Sequence, residues 1–441
     1  MFNRIRVKNF RSIADSKDLN LSRLNIFVGP NNSGKSSILY SLLLLKQTLE
    51  DKERDSVLVT SGPHVDLGGY LDIVRDHKSK ESIMIEFDLN EKVVPEMRIR
   101  EFKKAKESVT RGFDQYKMEF GFKQKRNEIY LLSFDVFESA SKANLRGKYL
   151  KSKWSLKGIP PKLKPHVRPN FDHFLPHLGP AGKKPRNKKF LMEAQELFFK
   201  SYMRVDFVSH LFRNIFYVGP IREHIPRYGI LGTMPYSELG PSGQNLMRVL
   251  SQVTGHGRAK TTVLQELNYW LDEKFHLLKK VRILDIDEGK TVKALVAEDN
   301  RGGKSINLTA TGSGISQLLP VVVQTVLTPQ RGCLIVEQPE IHLHPAAQAD
   351  LADLFVHYGS QGKQLIVETH SEHLLLRIRR RVAERKISPE LVRIFLVEKS
   401  SGITKIKCLQ LEKNGHFRQW PKGFFEEGYK EAMGIAEAQV K

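Results

Sequence analysis

An α/β fold with a mixed sheet, split by a basic insertion, is what this 441-residue sequence predicts, and three observations predict it. An apolar run, Leu24-Asn-Ile-Phe-Val28, leads through a glycine-rich turn into an apolar helical stretch at 36–49. Two further apolar runs, 333–337 and 364–368, each end in a carboxylate followed by polar residues. Between residues 142 and 189, 14 Lys and Arg stand against a single acid, Asp172, among seven prolines. Short apolar runs bounded by turns read as buried strands, and their alternation with helical stretches reads as α/β.

Ile5, Val7 and Phe10 mark a first strand, and 24–28 a second, buried one. After the helix and a loop at 62–69, alternating segments at 83–87, 118–122 and 129–133 predict antiparallel strands. A helix is expected over 190–211, helical segments over 244–252 and 261–278, and short strands at 281–286 and 291–296. A helix should begin near Ser316, with helix 345–358 and strand 364–368 following the strand at 333–337. From Val392 the tail adds two short strands and a Trp420-Pro421 turn. This gives an N-terminal lobe (1–135), a basic Pro/Lys-rich insertion with its helix (136–215), a C-terminal lobe (216–391) and a tail (392–441). No heptad run is long enough for a coiled-coil arm.

Composition narrows the class. With 40% hydrophobic and 27% charged residues the chain has the make-up of a soluble folded protein, and no apolar run approaches a membrane span. There is no secretory leader pattern, and Cys333 and Cys408 form no disulfide framework, so a reducing, cytoplasmic setting is expected. The net charge is +22, concentrated in 142–189. Such a surface suits double-stranded DNA or another polyanion through counterion release. An acidic protein surface, or plain solvation of a partly disordered segment, are the other readings.

Gly29-Pro-Asn31-Asn32-Ser33-Gly34-Lys35-Ser36 fits G-x-x-x-x-G-K-[ST], between a strand and a helix as the pattern requires. The glycines let backbone N–H groups curl toward the β- and γ-phosphates of ATP; Lys35 adds a point charge, Ser36 a hydroxyl for Mg²⁺, and Ser37 opens the helix. Strand 333–337 ends at Glu337, which can hold Mg²⁺ through water, and Glu340 lies one step further out, where a carboxylate can orient or deprotonate a water. The run 364–368 leads to Thr369-His370-Ser371; His370 can sense a γ-phosphate, and Ser371 can cap the next helix. His342 and His344 shape a loop ahead of Pro345 better than they supply zinc ligands. Thr311-Gly-Ser313-Gly314-Ile-Ser-Gln317 precedes an apolar helix and makes a second anion nest, which has a use if offered to nucleotide on a partner subunit.

In this order the motifs resemble those of ABC-type P-loop ATPases of the SMC and RecF class. That resemblance implies a nucleotide-binding head split by an insertion, and an ATP-sandwiched homodimer. It implies Walker A roles for Gly29, Gly34, Lys35 and Ser36, the Walker B acid at Glu337 where Asp is usual, the catalytic glutamate at Glu340 and the switch histidine at His370. The signature loop departs from Leu-Ser-Gly-Gly-Gln, keeping Ser313 and Gly314 with Ile315 and Ser316 after them. The segment at 66–74 occupies the region of the Q-loop.

A closer resemblance rests on Lys8-Asn-Phe-Arg-Ser12, Asp66-Leu-Gly68, Tyr217-Val-Gly-Pro-Ile-Arg-Glu223, Val336-Glu-Gln-Pro-Glu-Ile-His-Leu-His-Pro345, Glu368-Thr-His-Ser-Glu372 and Trp420-Pro-Lys-Gly-Phe-Phe425. Together they are similar to compact bacterial AAA-type ATPases that resemble the ATPase half of OLD (overcoming lysogenisation defect) proteins. This implies a regulator in antiphage defence, acting on a separate effector such as a nuclease; a DNA-repair ATPase and an ATP-dependent scaffold are the alternatives. OLD proteins carry a C-terminal TOPRIM nuclease, whereas 71 residues follow His370 here, so no intrinsic nuclease is expected. Asp285-Ile-Asp287-Glu288 reads as a charged β-turn. Arg222 is a candidate for a phosphate or interface ion pair, or for a salt bridge with Glu223 or another acid.

Overall fold

In the computed structural model six strands form a central sheet, in the order Ile215–Val218, Cys333–Glu337, Gln364–Glu368, Leu24–Val28, Val392–Ser400 and Ile403–Leu409. The first five are parallel and the sixth is antiparallel, so the sheet is mixed, as the sequence predicts. The described residues are 1–90, 115–126, 128–138, 143–150, 153–182, 187–230, 238–253, 258–298 and 305–419, with Met433; the Trp420 turn lies outside them.

The strands Leu24–Val28, Cys333–Glu337 and Gln364–Glu368 are buried at every position. A strand covered on both faces carries an unbroken apolar run, and alternate residues serve two cores. Phe27, Ile335 and Ile366 join Ile38 and Leu42 of helix Lys35–Glu50 in one core. Ile26, Val336 and Val367 join helices Ser313–Leu327, Pro345–Ser360 and Glu372–Ala383 in the other. Because the parallel strands run one way, their C-terminal ends share an edge, with Glu337 and Glu368 directly opposite in register. Open α/β sheets present their chemistry at that edge.

An antiparallel sheet closes the first core, ordered Ile13–Asp15, Phe2–Phe10, Ile83–Asn90, Gln115–Lys125, Glu128–Glu138, Ala143–Leu150 and Lys153–Lys157. The first part of the basic insertion, 143–157, therefore extends this sheet, and strand Glu128–Glu138 runs across the division expected at 135. In Ala143–Leu150, Leu145 and Gly147 are buried while Arg146 and Lys148 are exposed. The cations occupy the outward face of an alternating strand, which a charge count over a window hides. The hairpin Val167–Asp172 with Leu175–Pro180 buries Phe174, Leu175 and Leu178 in the same core.

Helix Lys188–Arg213, the longest among the described residues at 26 residues, packs Val205, Val208 and Phe212 onto this core. A smaller sheet of Gly229–Ile230, Val292–Glu298, Lys279–Asp285 and Ser305–Asn307 carries the charged turn. There Asp287 accepts from the Thr291 hydroxyl (2.6 Å) and the Val292 N–H (2.7 Å). Among the described residues no helix is long and apolar enough to cross a membrane.

Candidate active site

The glycine-rich turn is shaped by contacts that admit no side chain. Gly29 has φ +148° and Gly34 φ +100°. A Cβ at Gly29 would sit 2.0 Å from the Val397 carbonyl oxygen, and one at Gly34 would sit 2.4 Å from Thr404 Oγ1. Both the backbone angle and the space require glycine. Thr404 donates to the Ser33 carbonyl and lies 2.7 Å from the Ser12 hydroxyl, so the last hairpin of the central sheet holds the loop from below. Ser33 is buried, and its Oγ has no protein partner among the described residues. Lys35 Nζ folds back to the carbonyls of Gly29 (3.1 Å) and Pro30 (2.8 Å). Burial holds its ammonium below the usual lysine range, against the pull of Glu368 and Glu340.

A cavity of about 490 Å³ opens over the loop. Asn31, Asn32, Gly34, Lys35, Ser36 and Ser37 line it, and so do Arg11, Tyr40, Glu368, His370 and Lys399 from other parts of the chain. The Arg11 guanidinium lies 5.5 Å from the centre of the Tyr40 ring. The segment at 66–74 does not line this cavity; its end accepts the Arg11 N–H at the Ile73 carbonyl.

Three carboxylates are buried at this edge, and one of them, Glu368, lines the cavity. Glu337 accepts from Tyr217 Oη (2.6 Å) and Tyr40 Oη (3.3 Å). Burial raises its pKa, and the hydroxyls of Tyr217, Tyr40 and Ser36 restrain it. Glu340 accepts the His370 N–H at 2.6 Å through one oxygen, while its other oxygen is buried with no protein partner among the described residues; burial raises its pKa as well. Glu368 is pushed up to about 7 by burial and by the charge of Glu337. Burial and the Lys35 charge lower the pKa of His370, which favours the neutral imidazole. The loop carrying Glu340 includes Gln338 at φ +44° and His342 at φ +62°. Left-handed non-glycine residues cost about 1–3 kcal/mol each and cluster at functional loops.

This donor set fits a nucleotide-bound divalent cation. Among the described residues no group of three or more His, Cys, Asp or Glu is arranged to hold a metal by itself. Mg²⁺ needs no such cage, since it is held by one or two protein ligands together with phosphate oxygens and water. The unpartnered buried oxygens of Glu340 and Glu368 provide negative charge that a cation and its waters can satisfy.

Glu368 binds its proton more tightly folded than unfolded, so its contribution to stability is full below about pH 4.5 and is lost as the pH rises through about 7. Nucleotide-free, metal-free protein should lose on the order of 3 kcal/mol from this group across that window. Glu368→Gln should flatten the loss. Thermal denaturation between pH 5 and pH 8 reads it, and parallel slopes for the two proteins would contradict it.

Arg222 is neither phosphate-facing nor paired with Glu223, whose carboxylate accepts from the Ser242 hydroxyl. Its Nη2 donates to the Glu337 (2.6 Å) and Gln338 (3.1 Å) carbonyls, and its Nη1 to the Gln317 carbonyl (3.2 Å). Gln317 returns a bond to the Arg222 carbonyl at 3.0 Å. Arg222 thus clamps the acidic strand end to helix Ser313–Leu327, staying cationic at neutral pH although burial lowers its pKa to about 10. Arg222→Ala should destabilise the fold by about 3 kcal/mol, because two buried carbonyls and a half-buried one lose their donor. Arg222→Lys should recover only part of this, lacking the fork. An unchanged urea midpoint for Arg222→Ala would refute the clamp.

Helix Ser313–Leu327 begins three residues before Ser316, so Ser313 and Gly314 form its first turn. They do not line the cavity over the glycine-rich turn of their own chain. Ser313 is exposed, and a Cβ on Gly314 would lie 2.8 Å from the His342 carbonyl oxygen, which places this turn against the Glu340 loop. His344 caps helix Pro345–Ser360 by accepting from the Ala346 N–H, with Pro345 opening the helix. Ser371 caps helix Glu372–Ala383 through the Leu374 N–H.

Sequence reasoning passed over Glu368, Tyr40, Tyr217, Arg11 and Thr404 as members of the site. Glu368 had a signal, since its apolar run ends in an acid just as 333–337 does. The others reach the site through pairings distant in sequence.

The AAA ATPase domain family matches residues 1–165 and 256–375, together more than half of the chain. No curated protein matches it. Among solved structures the chain is similar to an SMC head bound to the C-winged helix domain of ScpA, at 12% identity and TM-score 0.47, over 93% of this chain and 98% of that one. The SMC head domain from Thermotoga maritima is similar at 13% identity and TM-score 0.40, over 93% and 99%. An Smc head domain with an extended coiled coil, bound to the C-terminal domain of ScpA derived from Pyrococcus furiosus, is similar at 12% identity and TM-score 0.47, over 100% and 99%.

Proposed function

Since the chain belongs to the AAA ATPase domain family, and so binds and hydrolyses ATP, we propose that it is a dimeric switch whose ATP sites are completed in trans. We further propose that the switch controls a separate effector in antiphage defence. The observation that carries the dimer is the exposed first turn at Ser313-Gly314. It is a helix N-terminus suited to an anion, seated against the Glu340 loop, yet it takes no part in its own chain's phosphate cavity. The effector reading is supported by the resemblance to the ATPase half of OLD proteins, and the basic surface of 142–189 would receive the trigger, double-stranded DNA or another polyanion.

In this reading the backbone of Gly29, Asn31, Asn32, Ser33, Gly34 and Ser37 cradles the phosphates. Lys35 leaves the Gly29 and Pro30 carbonyls to meet the phosphate oxygens. Ser36 and Glu337 are the residues that would hold Mg²⁺, which when bound would neutralise developing phosphate charge. Glu340, fixed by the His370 N–H and kept basic enough by burial, takes the proton of the attacking water through its free oxygen. Neutral His370 donates to a γ-phosphate oxygen and so reports its loss. The partner's nest closes over the same phosphate, and the Arg222 clamp with the Gly314 contact passes the change between Glu340 and the dimer face.

Mixing two inactive proteins tests the composite site. Lys35→Ala lacks the phosphate charge, and Ser313→Arg fills the nest. In a two-fold dimer the mixture should recover about a quarter of wild-type ATPase activity, because each heterodimer holds one intact site. A mixture no more active than its parts would leave each site working within one chain and overturn the switch.

A further inference from the structure

Glu337 ends a buried strand, and its carboxylate is held by two phenols from separate parts of the fold. Tyr217 Oη donates to one oxygen at 2.6 Å, and Tyr40 Oη donates to the other at 3.3 Å. Regular structure places both donors. Tyr217 lies on the neighbouring parallel strand opposite Ile335, two residues before Glu337, so Tyr217 and Glu337 share one face of the sheet. Tyr40 lies four residues after Ser36 on helix Lys35–Glu50, so the phenol and the serine hydroxyl share the helix face that looks toward Glu337. The Tyr217 ring is buried in the same core as Ile335, so it cannot follow a carboxylate that moves.

A carboxylate offers about four lone pairs, and the two phenols take one on each oxygen. One therefore stays open on each, and the Ser36 hydroxyl also faces this carboxylate. Ser36 and Tyr40 line the cavity over the glycine-rich turn, whereas Glu337 does not. A cation seated at Ser36 would then meet Glu337 through a bound water. Such a bridge needs an acceptor that stays in place, and glutamate has one more free torsion than aspartate. Anchoring each oxygen from outside removes that freedom.

We propose that Tyr217 and Tyr40 are positioning residues that fit this site to a glutamate, each pinning one oxygen so that the open lone pairs face the metal-bound water. The proposal rests on the reading of Ser36 and Glu337 as the residues that would hold Mg²⁺. It also assigns a specificity, because the phenols suit a glutamate and not the shorter acid. Removing one methylene withdraws the carboxylate by about 1.5 Å. That takes it out of hydrogen-bond reach of both hydroxyls.

The test measures the affinity of the full chain for a fluorescent, non-hydrolysable ATP analogue in EDTA and in saturating Mg²⁺. The ratio of the two affinities reports the metal without any turnover. Tyr217→Phe keeps the ring and loses the hydroxyl. It should lower the ratio about tenfold while the affinity in EDTA stays within about twofold. Tyr40→Phe loses the longer bond and should lower the ratio less; it carries the same comparison if Tyr217→Phe does not fold. Glu337→Gln should remove most of the ratio, and Glu337→Asp should lower it as Tyr217→Phe does. Adding Tyr217→Phe to Glu337→Asp should change nothing further, since the hydroxyl has no oxygen left to hold. Fully additive losses, or a ratio that Tyr217→Phe leaves unchanged or raises, would overturn the positioning role. If Glu337→Gln still lowers the ratio in that case, the reading of Glu337 stands. A ratio unchanged by Glu337→Gln would overturn that reading and the positioning role with it.

Discussion

Lys35→Ala should abolish ATP hydrolysis and remove most of the affinity for ATP. In the proposed reading the glycine-rich turn gives its backbone N–H groups and one mobile charge to the β- and γ-phosphates, and that charge is Lys35, which lines the cavity over the turn. Screening by water is weak there, so losing a charge aimed at the transferring group should lower kcat by roughly 10²–10³-fold or more. The nucleotide-free fold should suffer less, because among the described residues Lys35 makes no ion pair and holds the Gly29 and Pro30 carbonyls, which water can reach once the amine is gone. Phosphate release under saturating ATP reads the first effect, equilibrium titration with ATP the second, and thermal denaturation the third. Hydrolysis near the wild-type rate would show that Gly29–Ser36 is not the phosphate loop.

How legible this site is in the sequence depends on how far apart its partners lie. The phosphate loop is written locally: two glycines that no side chain could replace, between a run buried on both faces and a helix of the same kind. The acids at 337 and 368 are equally plain, since buried parallel strands make short continuous apolar runs and the first polar residue marks the edge. The Arg222 clamp left no such mark, because its acceptors are backbone carbonyls 95, 115 and 116 residues away and any residue supplies a carbonyl. Thr404 under the phosphate loop is hidden for the same reason, 371 residues from its acceptor at Ser33. The basic insertion is legible in a different way. Its net charge marks the segment but not its structure, while the period-two alternation of Leu145, Gly147 and Tyr149 against Arg146 and Lys148 places 143–150 in a sheet. Charge describes what a surface attracts; alternation decides where the strand lies.

Glu340→Gln should keep ATP binding, lose hydrolysis and convert the protein to a larger species in the presence of ATP. The amide preserves the acceptor for the His370 N–H but cannot accept a proton from water, which should cost about 10²–10⁴-fold in rate. Stability should not fall. Burial already raises the pKa of Glu340, so the folded state favours a neutral group at that position, which the amide supplies at every pH. In the proposed dimer, with hydrolysis stopped, the γ-phosphate should stay in place and continue to hold the partner's Ser313-Gly314 turn, so the dimer should accumulate instead of cycling. Size-exclusion chromatography at micromolar protein, with and without ATP, should show the shift. Adding Ser313→Arg to Glu340→Gln should reverse it without loss of ATP binding, because the nest alone is filled and the phosphate loop is untouched. A Glu340→Gln protein that binds ATP and remains a monomer would leave the enzyme standing as an ATPase and end the case for a shared site. The Ser313-Gly314 turn would then have to act on the Glu340 loop from within its own chain, through the contact of Gly314 with His342.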